Sequence, residues 1–253
     1  MKKTQAFAMA LAATLTFLSA GTSGAFEGGT SYYNYYENKH EMGKRSPMHR
    51  YHCPGGNDVQ SSQDGYKNGV SIGTQGCNNS TTIDQFGHYN RSESFQDGFR
   101  NRASTFQYGI TNKNTTDQAG YRNSASTFQY GDTNKGQTVQ RGYRNRASMD
   151  QYGDFQWGQI IQDGKRNNAR MDQAGNYNVG LIRQGGQGSR NWAGLTQDGN
   201  VNAGVILQTG EVNESDLLQN GSNNVAVVAQ SSNANKMNVL QDGKGNITIL
   251  SQD

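Results

Sequence analysis

The sequence predicts an all-β protein, a β-solenoid or cross-β stack of about nine strand-turn-strand coils. Three observations predict this fold class: a Gln-Gly-Asn pattern that recurs every eleven residues, a two-residue alternation within each repeat, and too little apolar material for an ordinary globular core. Each coil is expected to take 22 residues, formed by two half-repeats of eleven.

The composition points away from a conventional globular domain. Of 253 residues only 32% are hydrophobic, 33 are Gly and 2 are Pro, and the mean hydropathy is −0.89. Such polarity is typical of disordered chains. The scarcity of Pro nevertheless argues against a plain flexible linker, and the scattered Ile, Val and Leu residues indicate that something is buried.

The N-terminal residues 1–25 have the pattern of a secretory signal peptide. Lys2 and Lys3 precede the apolar run 6–18, and small residues follow up to Ala25. This run is too short to span a bilayer and no second long run follows, so we expect no transmembrane segment.

Removal of the signal peptide changes the charge only slightly. Because two Lys and no acidic residue are lost, the formal net charge falls from +3 to +1, which gives no electrostatic case for binding nucleic acid. Residues 26–62 form a Tyr/His-rich segment, which we expect to be disordered. Residues 63–253 are predicted to form the repeat domain.

The repeat is most visible in "QDGFRNRASTFQ", residues 96–107. Stepping by eleven from Gln63, with a two-residue insertion after Gln184, gives 18 positions, of which 17 are Gln. Of the 17 that have a residue two positions later, 16 have Gly there and 15 have Asn five positions later; Gln156 and Ser189 replace Asn. Positions are counted below from this Gln, so that Gly is at +2 and Asn at +5.

An eleven-residue period also fits a right-handed helical supercoil. A helix is excluded because a Gly in every repeat costs roughly 1 kcal/mol each relative to Ala. Strand and turn fit better: Gly98 and Asn101 bracket a turn and both tolerate positive φ. From Asn101 to Gln107 alternate residues share a face, which is the pattern of a strand. We therefore expect about six strand residues and about five turn residues per half-repeat.

Two half-repeats are needed to close a coil, and coils must stack because a lone hairpin is unstable. With strands about 4.8 Å apart, nine coils reach about 40 Å. Stacking places Gln above Gln and Asn above Asn, so their amides are expected to form hydrogen-bonded ladders along the stack. The predicted Gln ladder residues are Gln85, Gln96, Gln107, Gln118, Gln129, Gln140, Gln151, Gln162, Gln173, Gln184, Gln197, Gln208, Gln219, Gln230, Gln241 and Gln252. The predicted Asn ladder residues are Asn90, Asn101, Asn112, Asn123, Asn134, Asn145, Asn167, Asn178, Asn202, Asn213, Asn224, Asn235 and Asn246.

Two further positions are predicted to face inward. Position +7 is small, as at Ala103 and Gly158, which lets the facing strands approach closely. Position +9 is Thr in the middle of the chain, as at Thr105 and Thr127, and Met, Ile, Leu or Val from Met149 onward. The C-terminal half is therefore expected to bury more apolar surface and to aggregate more readily.

The intervening side chains are expected to face outward. One outward set is basic: Arg91, Arg102, Lys113, Lys135 and Arg146. These cations could bind acidic polysaccharide or merely limit sideways association of strands. Another outward set is aromatic: Phe95, Phe106 and Phe128. Cys53 and Cys77 could pair in an oxidising compartment or remain free thiols.

The pattern Gln-x-Gly-x-x-Asn-x-Ala-x-x-x-Gln, carried by Gln96, Gly98, Asn101, Ala103 and Gln107, resembles the curlin repeat. Curlins are subunits of curli, the amyloid fibres of Gram-negative bacteria. The resemblance implies secretion through the periplasm and the outer-membrane curli secretion channel. It also implies polymerisation at the cell surface, with itself and with other curlin subunits or a nucleator, into a pilus-like fibre for adhesion and biofilm matrix. The Ala position is often Gly, Ser or Asn here, which departs from the family pattern.

Two other classes of function compete with this hypothesis. An enzyme on a solenoid would need a carboxylate pair or a His cluster interrupting the repeat. Acidic residues are instead dispersed and only His88 lies within the repeats, so we expect no enzyme, no catalytic or metal site and no cofactor. A soluble β-solenoid binding module, an adhesin or a binder of ice or polysaccharide, is the alternative that stays open.

Overall fold

The computed structural model describes residues 56–186 and 190–253 and shows a β-solenoid. In these ranges the secondary structure consists of 18 strands and turns. The strands are β1 (Asp58–Tyr66), β2 (Gly69–Cys77), β3 (Ser80–His88), β4 (Arg91–Phe99), β5 (Arg102–Ile110), β6 (Lys113–Tyr121), β7 (Ser124–Tyr130), β8 (Lys135–Tyr143), β9 (Arg146–Tyr152), β10 (Trp157–Lys165), β11 (Asn168–Ala174), β12 (Val179–Gln184), β13 (Trp192–Asn200), β14 (Ala203–Gln208), β15 (Glu214–Ser222), β16 (Val225–Gln230), β17 (Lys236–Lys244) and β18 (Ile247–Gln252).

The strands form two parallel nine-stranded sheets that face each other. The odd-numbered strands stack in sequence order in sheet A, and the even-numbered strands stack in the same way in sheet B. Each coil contains one strand of each sheet. Equivalent residues pair 22 positions apart, as Gln107 does with Gln129, and 24 apart across the insertion, as Gln173 does with Gln197. The predicted stack of nine 22-residue coils is confirmed.

The first coil begins before the predicted boundary at residue 63. Strand β1 starts at Asp58, and its pairing with β3 places Gln63 in the middle of the strand. The predicted boundary is the first Gln, whereas the first strand of a coil starts five residues before its Gln. The predicted signal peptide, residues 1–25, and residues 26–55 of the segment predicted to be disordered lie outside the described residues. For residues 58–62 the prediction of disorder is wrong, because they belong to β1 and pair with β3.

Most strands are longer than the predicted six residues and most turns are shorter than predicted, whereas β12, β14, β16 and β18 have six residues. Many strands run nine residues, through Gly at +2, and leave two residues for the turn. Positive φ occurs at the Gly, as at Gly98 (φ 109°), but also at position +4, as at Arg100 (φ 58°) and even Val201 (φ 59°). It does not occur at the Asn. The stack imposes this conformation, because the +4 amide hydrogen-bonds the preceding coil, as Arg122 N–H does to the Phe99 carbonyl at 2.9 Å.

The interior is built from matched large and small side chains. Met149 and Met171 of sheet A project toward Gly158 of sheet B, where a Cβ would lie 2.8 Å from both sulfur atoms. Ala103 and Thr105 are 2% exposed, so the predicted inward positions +7 and +9 are confirmed. An apolar cluster runs from Ala147 to Val239, which confirms the more apolar interior of the C-terminal half.

The aromatic side chains predicted to face outward lie on the outer surface. Phe95 is 48% exposed, and Phe106 and Phe128 are half-buried because their rings stack on each other at 5.0 Å.

Candidate functional site

The Gln side chains form two continuous columns, one against each sheet. In sheet A, each Nε2 donates to the Oε1 of the Gln in the next coil toward the C-terminus, from Gln63 to Gln241, at 2.7–3.0 Å. In sheet B the same bonds run from Gln96 to Gln230 at 2.7–2.9 Å. These columns are called the amide ladders below.

Each ladder amide also ties the two sheets together. The second N–H of Gln118 donates to the backbone carbonyl of Arg102 in sheet A at 2.9 Å, and Gln129 of sheet A donates to Lys113 of sheet B at 3.1 Å. The ladder Gln residues between the end coils have almost no exposed surface. Burial of so many amides is stable because their donors and most of their acceptor sites are satisfied.

The Asn residues stack in register, as predicted. The prediction that their side-chain amides hydrogen-bond to one another is wrong. Asn101 Nδ2 donates to the Asp97 carbonyl of its own turn at 2.9 Å and to the Gly120 carbonyl of the next coil at 3.0 Å. Its Oδ1 accepts the backbone N–H of Asn123 at 3.0 Å. The Asn side chain is one methylene shorter than Gln, so its amide stays at the backbone and fastens turn to turn.

The structure adds Asn residues that the predicted list omits. Asn191 takes the Asn role after the insertion, since its N–H bonds Asn167 Oδ1 at 3.2 Å; Ser189 lies outside the described residues. Asn57 accepts the N–H of Asn79 in the same way at 3.0 Å. A sequence signal exists for both, because Asn57 and Asn191 stand six residues before a Gln, as every Asn of the predicted ladder does.

Gln156 shows why Asn is preferred in this column. It reproduces the two donations, to the carbonyls of Tyr152 at 2.6 Å and Gly175 at 2.7 Å. Its Oε1 is nevertheless buried without a hydrogen-bond partner. The longer side chain satisfies the donors but misplaces the acceptor.

The last predicted Gln lies in register but outside the ladder. Gln252 pairs with Gln230 in the strand register, but within the described residues no side-chain hydrogen bond joins them. The sheet B ladder also has no Gln at its N-terminal end, where Thr74 pairs with Gln96.

Each end of the described stack has strands with one edge that no other described strand covers. Within residues 56–186 and 190–253, strands β1 and β2 pair only toward the C-terminus, and β17 and β18 only toward the N-terminus. Every residue of β1 is exposed. At the other end Leu240 is 70% exposed, Ile249 73%, and even the inward-facing Leu250 40%. Unpaired edges of this kind template the addition of another strand.

Stacking places several carboxylates close to like charges. Burial raises the pKa of Asp150, and the neighbouring carboxylate of Asp172 raises it further. Burial likewise raises the pKa of Asp117 and of Asp216. Arg170 pairs with Asp172 at 2.8 Å, which partly offsets this repulsion. These carboxyls do not form one group: Asp150 and Asp172 pair in β9 and β11, whereas Asp117 lies in β6 and Asp216 in β15.

The remaining sequence predictions concern the cysteines, a metal site, a transmembrane segment and the Thr column. Cys77 is disulfide-bonded and 8% exposed; Cys53 lies outside the described residues, so their pairing stays a prediction.

Among residues 56–186 and 190–253, no three His, Cys, Asp or Glu side chains are grouped to hold a metal. The same ranges contain no helix long and apolar enough to cross a membrane. Thr105 and Thr127 face the interior, which removes them from any ice-binding surface.

No family model matches the chain, and no curated protein matches it either. The resemblance to curlin repeats therefore depends on the repeat itself.

Proposed function

We propose that this protein is a secreted structural subunit that polymerises coil on coil into curli-like extracellular amyloid fibres. The observation that carries the proposal is the pair of open ends, whose strands continue the register of the stack. In keeping with the curlin resemblance, the subunit would leave the cell through the outer-membrane curli channel. It would then assemble with itself, with other curlin subunits or with a nucleator, for adhesion and biofilm matrix.

The two ends match when the 22-residue register is continued from one molecule to the next. Strand β17 then lies beside β1 of the next molecule, with Gln241 over Gln63. Strand β18 lies beside β2, with Leu250 over Ile72. The junction extends the sheet A ladder and covers apolar side chains that are exposed at the C-terminal end.

Charged residues at this junction give the proposal a sharp test. Lys236, which pairs with Glu214 at 2.8 Å inside the molecule, would meet Asp58 of the next molecule. Asp242 would meet Asp64. The contact of Lys236 with Asp58 is attractive, and the contact of Asp242 with Asp64 is repulsive. Asp58 and Asp64 both lie exposed on β1.

The experiment compares Asp58→Lys with Asp64→Lys, which change the net charge equally on the same strand. Fibre elongation from seeds is followed by thioflavin fluorescence at low ionic strength, where surface charges are least screened. We expect Asp58→Lys to slow elongation and Asp64→Lys to accelerate it, with both effects shrinking at high salt. Equal effects of the two variants would refute this junction. A chain that remains a stable monomer with or without seeds would instead support a soluble β-solenoid binding module.

A further inference from the structure

One edge of the solenoid concentrates positive charge. It is the edge where β4, β6, β8 and β10 turn into β5, β7, β9 and β11, that is, residues 97–102, 119–124, 141–146 and 163–168, called the basic edge below. Its basic residues are Arg100, Arg102, Arg122, Arg141, Arg144, Arg146, Lys165 and Arg166, and its acidic residues are Asp97 and Asp163. Because this surplus exceeds the net charge of +3 of the whole chain, the rest of the chain is net negative.

The opposite edge of the same part of the stack is nearly neutral. Residues 86–91, 108–113, 130–135 and 152–157 contain three cationic side chains, Arg91, Lys113 and Lys135, and two acidic ones, Asp132 and Asp154. The asymmetry is therefore a property of one edge and not of the repeat as a whole. Segregated charge of this kind creates a field that attracts an oppositely charged partner.

Four arginines of the basic edge form a row, one from each of four successive coils. Arg100, Arg122, Arg144 and Arg166 occupy position +4 of four successive coils, each with φ of 57–58°. The guanidinium groups of the first three lie 5.1, 5.0 and 4.9 Å from the centres of the preceding aromatic rings. Contacts of this geometry are attractive cation–π interactions, and they hold the row without neutralising its charge.

The aromatic rings fix the spacing of the row. Phe99 stacks on Tyr121 at 5.5 Å and Tyr121 on Tyr143 at 5.4 Å, with the rings within 7° of parallel. One guanidinium is thus presented per coil. Arg100 and Arg144 are exposed and Arg122 is half-buried, and no ion pair involves these three within the described ranges.

We propose that the basic edge binds a linear acidic polysaccharide lying along the solenoid axis. A guanidinium presents a planar fork of donors that matches a carboxylate. The sugar rings of a polyuronate follow one another at a distance similar to the strand spacing, so the carboxylates on the side that faces the edge recur at multiples of the spacing of the arginines.

Nucleic acid fits this edge less well than a polyuronate does. Single strands bind by stacking bases on free aromatic faces, whereas the faces of Phe99, Tyr121 and Tyr143 are stacked on each other. The phosphates of a duplex follow helical paths, so a row of cations along one edge of the stack meets few of them. A stretched polyanion with one charge per unit can contact the whole row.

The test uses soluble full-length protein below its assembly concentration, with sodium alginate as the polyuronate. The edge variant is Arg100→Asn, Arg122→Asn and Arg144→Asn together. Asn suits this backbone conformation, as Asn78 and Asn223 show at the same position with φ of 56° and 57°. The matched control, Arg91→Asn, Lys113→Asn and Lys135→Asn together, removes the same charge from the opposite edge.

We expect the edge variant to bind alginate at least about tenfold more weakly and the control less than about twofold more weakly, because the lost contacts are charge-assisted and bidentate. Equal losses would mean attraction by net charge alone and would overturn the site. Tighter binding of single-stranded or duplex DNA than of alginate, lost in the edge variant, would overturn the choice of ligand. Alginate binding is measured without fibres, so its outcome is independent of the proposed polymerisation.

Discussion

The amide ladders predict a large loss of stability from a substitution that keeps side-chain volume. Gln129 is 0% exposed and lies in the middle of the sheet A ladder. It accepts a hydrogen bond from Gln107 at 2.7 Å and donates to Gln151 at 2.8 Å and to the Lys113 carbonyl at 3.1 Å. Gln129→Met fills a similar space but offers no amide.

The magnitude follows from the groups that lose their partners. The Gln107 N–H and the Gln151 oxygen would both be buried without a partner, and each such group costs about 1–3 kcal/mol. The Lys113 carbonyl loses only its side-chain donor. We therefore expect the free energy of unfolding to fall by about 2–6 kcal/mol.

The assay is guanidinium unfolding of soluble protein followed by far-ultraviolet circular dichroism. Gln252→Met serves as the control, because Gln252 lies in register with the ladder but outside its hydrogen bonds; we expect it to change stability by less than about 0.5 kcal/mol. If Gln129→Met were as mild as the control, the ladder would contribute little to stability and the reasoning would be wrong.

Three further predictions concern the interior, the stacked carboxylates and the two halves of the chain. Gly158→Ala should cost about 1–3 kcal/mol by overpacking, since its methyl would lie 2.8 Å from two methionine sulfur atoms; thermal unfolding measures this. Asp150→Asn should stabilise the protein at neutral pH, because the folded-state pKa of Asp150 is raised by burial and by Asp172. The wild type recovers stability as the pH falls through that raised pKa, so unfolding midpoints of the two proteins should converge in acid. A peptide of residues 201–253 should form fibrils faster than one of residues 85–140, as followed by thioflavin fluorescence, because its inward positions are more apolar.

Each of these predictions has an outcome that contradicts it. For the interior, Gly56→Ala is the control, since a Cβ there meets nothing within 4 Å; equal effects at both glycines would argue against overpacking. For the carboxylates, a stability difference that is unchanged from neutral to acid pH would exclude titration of Asp150 as its cause. For the peptides, faster growth of the earlier peptide would show that apolar burial does not govern assembly.

The fold could be predicted because the same residue types recur at the same spacing in every half-repeat. Gln96, Gly98 and Asn101 recur at fixed spacing, and the strict alternation up to Gln107 leaves one assignment of inward and outward faces. A one-residue slip would bury charged side chains instead. The coil number, the parallel register and the inward columns followed from this pattern.

What could not be predicted depends on contacts between coils. Position +4 holds residues as ill suited to positive φ as Val201, and only the hydrogen bond from the neighbouring coil explains that conformation. The bonding of Asn101 to backbone groups depends on the reach of a short side chain. Counting five residues on from Gln184 leads to Ser189, because the two inserted residues precede the Asn position; only counting back from Gln197 leads to Asn191.

The direction of the ladder bonds has a consequence for any fibre. Every ladder Nε2 points toward the C-terminal coil, so the side-chain dipoles add along the axis, whereas the dipoles of ordinary sheets are small. One tip of a fibre therefore ends in amide donors and the other in carbonyl acceptors. A molecule added in the opposite orientation would place amide donors against amide donors. All molecules of a fibre should therefore point the same way, and the two tips should elongate at unequal rates.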